Sequence, residues 1–426
     1  HAAAAQTSNP PPASPSTEEV VSLSPFTVSD SDDKSWQATT TLIGSRTNQE
    51  LIKVPVNVDV ITAEFMRDLG AFSLDDAAAF VAGVTVTPRL ESRNDERVNY
   101  RGLSTGGISR NFFQWYVPSD AYNVERYDFA KGSNSLMFGD SSPGGQATIY
   151  TKRARPRNTT EFFASYGSYE AFRFQLDVNR KLHDKFFMRV NLANRRNKTY
   201  VRTTNDVFRA GHLAFTYEPF KTTTIRIEGE RGETHRIRAD SALAINNVAA
   251  AGRGFAANNQ WYFTSDGEII QRTSTSPAAI DRSGPSGSQV SLLQGQTQAV
   301  RLPNGTFREF SGFDQYTNML GTVDYNNRIF NVANVTVEQR IGKLSLEFAY
   351  NQQFQHEDRN DNSFGTSQTP PVLNVDGAGR PYIDAAFGGA AFKVFGNVVK
   401  AGRIAAVYPF DFGRFGKQLL VVTALH

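Results

Sequence analysis

The chain predicts an α+β domain followed by an antiparallel transmembrane β-barrel that is present only in part. Three features carry that prediction. Up to Lys152, helix-capping signals and short apolar runs are mixed, whereas from Thr159 onward apolar and polar residues alternate with period two. The joins between these later segments are alternately short and long. The alternating segments number about nine, and the final one, Gln418–His426, is apolar up to the last residues.

Bulk properties narrow the class. With 426 residues the chain exceeds one ordinary core, so two or more domains are expected. The formal net charge of +3 arises from 45 basic and 42 acidic residues, a balance unlike that of a nucleic-acid binder, and no nucleic-acid partner is expected. The basic runs Lys152–Arg157 and Arg195–Lys198 border strands and read as solvated strand ends or contacts with anionic lipid heads. Cysteine is absent, which excludes thiol catalysis, disulfides and Cys-ligated zinc. No apolar run reaches the ~18 residues of a membrane-spanning helix, a test to which β-barrels are blind.

The N-terminal residues His1–Gln6 resemble the tail of a secretory signal, with small residues before Gln6. Thr7–Thr17, rich in Pro, Ser, Ala and Thr, reads as a flexible extended leader, so 1–17 forms one unit. Residues 18–35 contain the β-prone stretch Val20, Val21, Ser22, Leu23, Ser24, Pro25 and Phe26. A lone strand on a tether is unstable and must pair with something, either a partner's sheet or its own domain.

Residues 36–153 form the compact domain. Val56–Ile61 alternates as a strand. Thr62 caps a helix over Ala63–Leu69 that Gly70 ends, and Ser73 caps a second helix over Leu74–Val81, with Asp75 and Asp76 in its first turn and Gly83 beyond it. The domain closes on Val124–Gly132, Leu136–Gly139 and Pro143–Lys152, read as two short strands around a glycine-punctuated turn.

Residues 154–426 carry the alternation. Phe172, Phe174, Leu176 and Val178 share one face against Arg173, Gln175, Asp177 and Asn179, and Phe186, Met188, Val190 and Leu192 oppose Arg189, Asn191 and Arg195. The pattern returns in His212–Tyr217, Ile225–Glu230, Ala333–Ile341 and Leu344–Tyr350. Alternation alone suits both a lipid-facing barrel and an antiparallel sandwich with its apolar face inward. Loop lengths favour the barrel: the joins at Leu182–Asp184, Pro219–Lys221, Ile341–Lys343 and Phe412–Gly416 are short. Polar loops are expected at the other end, over about Ile237–Asn327 and Glu357–Val398.

Few residues suggest catalysis, and no enzymatic activity is expected. Gly102-Leu103-Ser104-Thr105-Gly106 matches a nucleophile elbow, but no helical period follows and no His–acid pair accompanies it. The turn from Gly139 to Gly145 lacks the Lys-Ser/Thr of a phosphate loop. The six histidines have no metal-ligand spacing, and His356, Glu357, Asp358 and Asp361 read as a solvated loop tip; neither metal nor cofactor is expected. Phe112, Phe113, Trp115 and Tyr116 adjoin Arg110 and Asn111, which suits either a ligand surface, with Arg110, Asn111, Trp115 and Tyr116 as contacts, or packing of the domain on a barrel wall.

The stretch Val124–Lys152 closely resembles the end of the plug domain of TonB-dependent outer-membrane receptors, whose pattern runs VERIEVLRG, then LYG, then GGVINIITK. The matching positions are Glu125, Arg126, Lys131, Gly132, Gly139, Gly144 and Gly145, and Arg101-Gly102 stands where that family has its IRG motif. The resemblance extends over about Thr39–Lys152. It implies a plug inside a barrel of about 22 strands, of which about nine are present, so the chain is expected to be the N-terminal part of a longer protein. It further implies that 18–35 is the TonB box, that TonB with ExbB and ExbD supplies the energy, and that a scarce extracellular solute is imported across the bacterial outer membrane. Siderophore-type chelates, cobalamin and oligosaccharides all fit. A secreted all-β binding module and a degenerate, non-transporting receptor are the competing expectations.

Overall fold

The structure is a computed structural model and describes residues 25–26, 36–43, 47–54, 56–86, 98–104, 108–132, 144–237, 260–263, 269–272, 297–301, 307–311, 322, 324–364, 372–375, 381–384, 387–411 and 417–425. The expected leader, Val20–Ser24 of the expected box and Gly139 lie outside the described residues.

In the N-terminal domain, β1 (Thr40–Thr41) pairs with β2 (Gln49–Glu50), followed by β3 (Asn57–Thr62), α1 (Ala63–Leu69) and α2 (Leu74–Ala78). A small sheet joins β4 (Val84–Val86), β5 (Val98–Tyr100) and β6 (Leu103–Ser104). The main sheet adds β7 (Ile108–Arg110), β8 (Phe113–Trp115), β9 (Val124–Lys131) and β10 (Gly145–Thr151) in the order β3-β9-β10-β7-β8. The helices start where their caps dictate. Thr62 Oγ1 accepts from Phe65 N–H at 3.2 Å, Ser73 Oγ accepts from Asp76 N–H at 3.1 Å, and Gly70 closes α1 at φ +67°. The second helix ends at Ala78, a turn before the expected Val81, because the chain there tightens into turns ending at Gly83, φ +73°. Ile61, Met66, Leu74, Val98, Tyr100, Tyr127, Phe129 and Ile149 form the core on one side of the main sheet, while Leu42, Ile43, Phe112, Ala130 and Tyr150 fill the other.

The motif glycines serve close approach as well as turns. At Gly145, φ is +146° and a Cβ would collide with the Ala130 carbonyl and stand 3.0 Å from the Tyr100 ring; at Gly144 it would meet Leu103 Cβ at 3.0 Å. The Arg101–Leu103 turn and the Gly144–Gly145 step are thus packed backbone to backbone.

The second part is one antiparallel sheet of nine strands: β11 (Thr159–Tyr166), β12 (Phe172–His183), β13 (Phe186–Asn197), β14 (Asn205–Phe220), β15 (Thr223–Ile237), β20 (Tyr325–Ile341), β21 (Leu344–Phe364), β24 (Phe387–Asp411) and β25 (Lys417–Leu425), paired in that order. The long joins hold two-stranded hairpins, β16 (Gln260–Phe263) with β17 (Ile269–Arg272), β18 (Thr297–Arg301) with β19 (Phe307–Ser311), and β22 (Val372–Val375) with β23 (Pro381–Asp384). The expected loop over Glu357–Val398 is therefore corrected, since β21 and β24 run through much of it. These two strands have 21 and 25 residues, twice the 9–11 or so that cross a bilayer, so their distal halves rise beyond the lipid. His356, Glu357, Asp358 and Asp361 accordingly lie on β21 and not at a loop tip; Glu357 is buried between Arg328 and Arg359, each at 3.1 Å.

The sheet is inside-out, which decides between barrel and sandwich. Register aligns Phe186, Tyr217, Ile225, Val337, Phe348, Ile404 and Ala424 in one row on the outward face. Their inward neighbours include Arg173, Asp177, Arg189, Arg226, Glu228, Glu230, Glu338, Glu347 and Arg403, all buried. An apolar exterior over a charged interior is what lipid outside and a filled polar lumen require, and it is the reverse of a sandwich core.

Candidate functional site: the seam between plug and barrel wall

The N-terminal domain meets the sheet through charges. Its leading edge is the β7–β8 hairpin, whose two turn residues, Asn111 at φ +49° and Phe112 at φ +65°, both occupy the left-handed region. A tight hairpin turn of this hand normally takes Asn-Gly, and a phenylalanine in the second place is strained. Packing holds it there: Phe112 lies 5.7 Å edge-on to Tyr150, and the Arg403 guanidinium lies 5.5 Å from its ring. Arg403 also donates to the Asn111 carbonyl at 2.9 Å and to Glu347 at 2.8 and 3.0 Å.

The next contacts fix the hairpin to β15 and β21. Arg110 Nη1 stands 2.5 Å from Glu230, which also accepts from the Tyr122 hydroxyl at 2.7 Å. Asn111 and Glu228 share Thr151, whose hydroxyl donates to Glu228 at 3.0 Å, and His212 Nε2 lies 3.8 Å from the same carboxylate. Gln353 brackets β8, donating to the Gln114 carbonyl at 2.7 Å and accepting from Tyr116 N–H at 2.9 Å. Trp115 lies under Arg110, 4.3 Å from ring centre to guanidinium. Of the four residues expected as ligand contacts, Arg110, Asn111 and Trp115 thus sit at the wall, and Tyr116 alone among them is exposed, at 54%.

Two more clusters complete the seam. Asp120, preceding β9, pairs with Arg173 and, at 3.2 Å, with Arg195, which also reaches Asp206 at 3.1 Å. Beyond β10, Lys152 pairs with Asp177 at 2.9 Å, Arg155 with Glu125 at 3.2 Å, and Arg189 with Asp177 at 2.8 Å. The run Lys152–Arg157 and Arg195 were expected to be solvated or on lipid heads. Lys152, Arg155 and Arg195 instead enter ion pairs inside the wall, because the chain leaving β10 runs along the inner face and Arg195 points inward. Arg196 and Lys198 are the solvated members of their run, paired with exposed Glu170 at 3.2 and 2.7 Å.

The remaining motif positions are internal. Arg126 binds Asp128 and the Thr40 carbonyl, each at 2.9 Å; Lys131 pairs with Asp59; Gly132 N–H donates to the Gly144 carbonyl at 2.9 Å. Arg101 heads its turn at φ +49°. Pro25 and Phe26 form the N-terminal contact: Asn48 N–H donates to the Pro25 carbonyl at 2.6 Å, and Phe26 packs on Ala405, Val407 and Val421. Burial raises the Tyr122 and Tyr150 phenols well above their usual range, with Glu230 adding to the first and Asp128 to the second. The sequence does not show Asp120, Arg173, Asp177, Glu228, Glu230, Gln353 and Arg403 as members of a seam. For the six strand residues the period-two pattern gives the inward facing, but only register gives their partners; Asp120, in the plug before β9, carries no such signal.

Comparison with known proteins agrees with this geometry. Residues 50–146 match the family model for the TonB-dependent receptor plug domain. The ferrichrome outer membrane transporter/phage receptor of Escherichia coli strain K12 is 28% identical over 151 residues, covering 33% of this chain and 20% of that protein. The metal-pseudopaline receptor CntO of Pseudomonas aeruginosa is 26% identical over 175 residues, covering 37% and 23%. Among solved structures, the pyoverdine outer membrane receptor FpvA of Pseudomonas aeruginosa PAO1 matches with a TM-score of 0.64 at 13% identity, over 92% of this chain and 49% of that one, a likeness of fold. The alignments thus span about a fifth of these curated relatives, and the shared fold about half of the solved receptor. Plug motif, nine-stranded inside-out sheet and lumen-filling domain together identify the chain as part of a TonB-dependent receptor of the bacterial outer membrane, comprising its plug and adjoining barrel strands.

Proposed function

We propose that the full protein imports a scarce metal chelate of the siderophore type, and that TonB, with ExbB and ExbD, drives it by drawing the plug off the barrel wall. The observation that carries this reading is the ionic seam: a domain held in the lumen by the charge pairs Arg110–Glu230, Lys152–Asp177 and Asp120 with Arg173 and Arg195, and by hydrogen bonds to Glu228 and from Arg403. An apolar seam would resist wetting, whereas separated charges regain hydration, so a polar interface suits a part that must move. The named relatives, receptors for ferrichrome and metal-pseudopaline, support a chelate over cobalamin or an oligosaccharide.

In this reading residues 1–17 are the leader, 18–35 the TonB box segment, 36–153 the plug and 154–426 the barrel portion. TonB pairs with Val20–Phe26 by strand addition, in which backbone bonds supply affinity. The seating of Phe26 on β24 and β25 supports a box whose C-terminal end is parked on the wall at rest. The plug offers the ligand Tyr116, with Arg110, Asn111 and Trp115 holding the hairpin that presents it.

The test is uptake of labelled iron, as hydroxamate and catecholate chelates, by cells carrying the full-length receptor as their sole one. We expect uptake that requires TonB and falls to background when Val20–Phe26 are deleted. Unchanged uptake after the deletion, or transport of cobalamin or oligosaccharide alone, contradicts the reading. Absence of any uptake marks a degenerate receptor.

A further inference from the structure

The outward face of the sheet carries a groove of about 530 Å³ across β13, β14 and β15 that the transport reading does not use. Its floor is Gly211, which register places between Leu192 and Arg231. Phe174, Leu192 and Ile329 give it apolar walls; Arg231 flanks the floor, and Arg209 stands one outward row beyond it. Arg209 faces Glu233 at 3.0 Å in an exposed pair, whereas Arg231 has no side-chain partner among the described residues.

The position of the groove is informative. Rising from the short turn at Lys221–Thr222, the outward rows of β14 and β15 are Tyr217 and Ile225, Phe215 and Ile227, then Leu213 and Gly229; the charges begin at Arg231 and Arg209. For strands tilted by ~40°, the eight residue steps from Thr223 to Arg231 climb about 20 Å, near the top of an apolar band about 25 Å tall. The cations therefore stand at the boundary between hydrocarbon and head groups on the side of the long joins, which in an outer-membrane barrel is the outer leaflet.

We propose that this groove binds one phosphate-bearing lipid of the outer leaflet, its phosphate on Arg231 and Arg209 and one acyl chain laid over Gly211 between Leu192 and the Arg231 stem. Charge complementarity selects the head group, since guanidiniums bind phosphate in planar, paired fashion. The missing side chain at Gly211 makes the room: a Cβ there would press on Leu192 Cδ2 at 3.2 Å, and a larger group would fill the groove. Glu233 orients Arg209 from a solvated position and is screened. The inference rests on the membrane setting and is independent of what the receptor imports.

The experiment is native mass spectrometry of the full-length receptor in mild detergent, titrated with lipid A, and with inorganic phosphate as the free-anion probe. Wild type should take up one lipid A per barrel. Arg209→Gln and Arg231→Gln should each weaken binding roughly fivefold, the effect of about 1 kcal/mol per basic residue at a membrane surface. Gly211→Leu, which leaves every charge in place, should abolish the stoichiometric adduct, while Lys400→Gln on the outward face of β24 should leave it intact. Binding in Gly211→Leu equal to wild type would reduce the arginines to general interface anchors and overturn the proposal. Displacement of the lipid by inorganic phosphate would also overturn it, as would a wild-type receptor that takes up no stoichiometric adduct.

Discussion

Arg403 binds four groups from one position on β24: the Glu347 carboxylate, the Asn111 carbonyl and the rings of Phe112 and Phe113. Arg403→Ala leaves a buried carboxylate without this cation, at a cost of about 3–5 kcal/mol. The expected result in the full-length receptor is faster amide exchange over Ile108–Trp115 with the barrel strands unchanged; equal exchange at both would make Arg403 part of the barrel's own stability. Tyrosine chemistry adds a pH dependence. Burial, helped by Asp59, raises the Tyr100 phenol, and burial likewise raises Tyr122 and Tyr150. The fold favours the protonated phenol, so this contribution is whole below the free phenol value of about 10 and is lost as pH rises beyond it. Plug near-UV circular dichroism should thus hold to about pH 10 and then collapse, and Tyr100→Phe should shift the collapse upward. The Tyr100 hydroxyl has no hydrogen-bond partner among the described residues, so the same change should be nearly neutral at pH 7.

The elements most legible in the sequence are those fixed by local chemistry. Thr62 and Ser73 start α1 and α2 through their own hydroxyls, and Gly70 ends the first in a conformation other residues resist. Ser73→Ala should cost about 1 kcal/mol, read as a lowered plug unfolding midpoint. Gly145→Ala should cost more, since the new methyl meets the Ala130 carbonyl and the residue is held at φ +146°. If Gly145→Ala proves as mild as Ser73→Ala, the backbone contact is not tight. Legibility ends at the β7–β8 hairpin: nothing in Arg110-Asn111-Phe112-Phe113 announces a turn with a phenylalanine at positive φ, because Tyr150 and Arg403, distant in sequence, hold it. The seam is hidden for the same reason. Glu228 and Glu230 read only as inward charges, and their bonds to Thr151, Arg110 and Tyr122 depend on pairings more than 70 residues apart.

Across the whole molecule, alternation and loop lengths gave nine strands, and the outward row from Phe186 to Ala424 removes the sandwich alternative. Strand length was harder to read. The polar, Asn-rich sequence of distal β21 resembles loop because it forms wall above the lipid, where an apolar face is not required, and distal β24 resembles loop through its glycines although it exposes Phe392, Val394 and Val398. The central claim is that the plug must leave its ionic seat for solute to pass. The chain contains no cysteine, so a pair placed at Arg110 and Glu230 is unique within it and can be bridged by a short bis-maleimide. In cells carrying the full-length receptor, chelate uptake with and without the bridge is the most direct measurement. Uptake that ceases on bridging while surface binding of the chelate persists is the predicted result; uptake continuing at the unbridged rate would contradict the account.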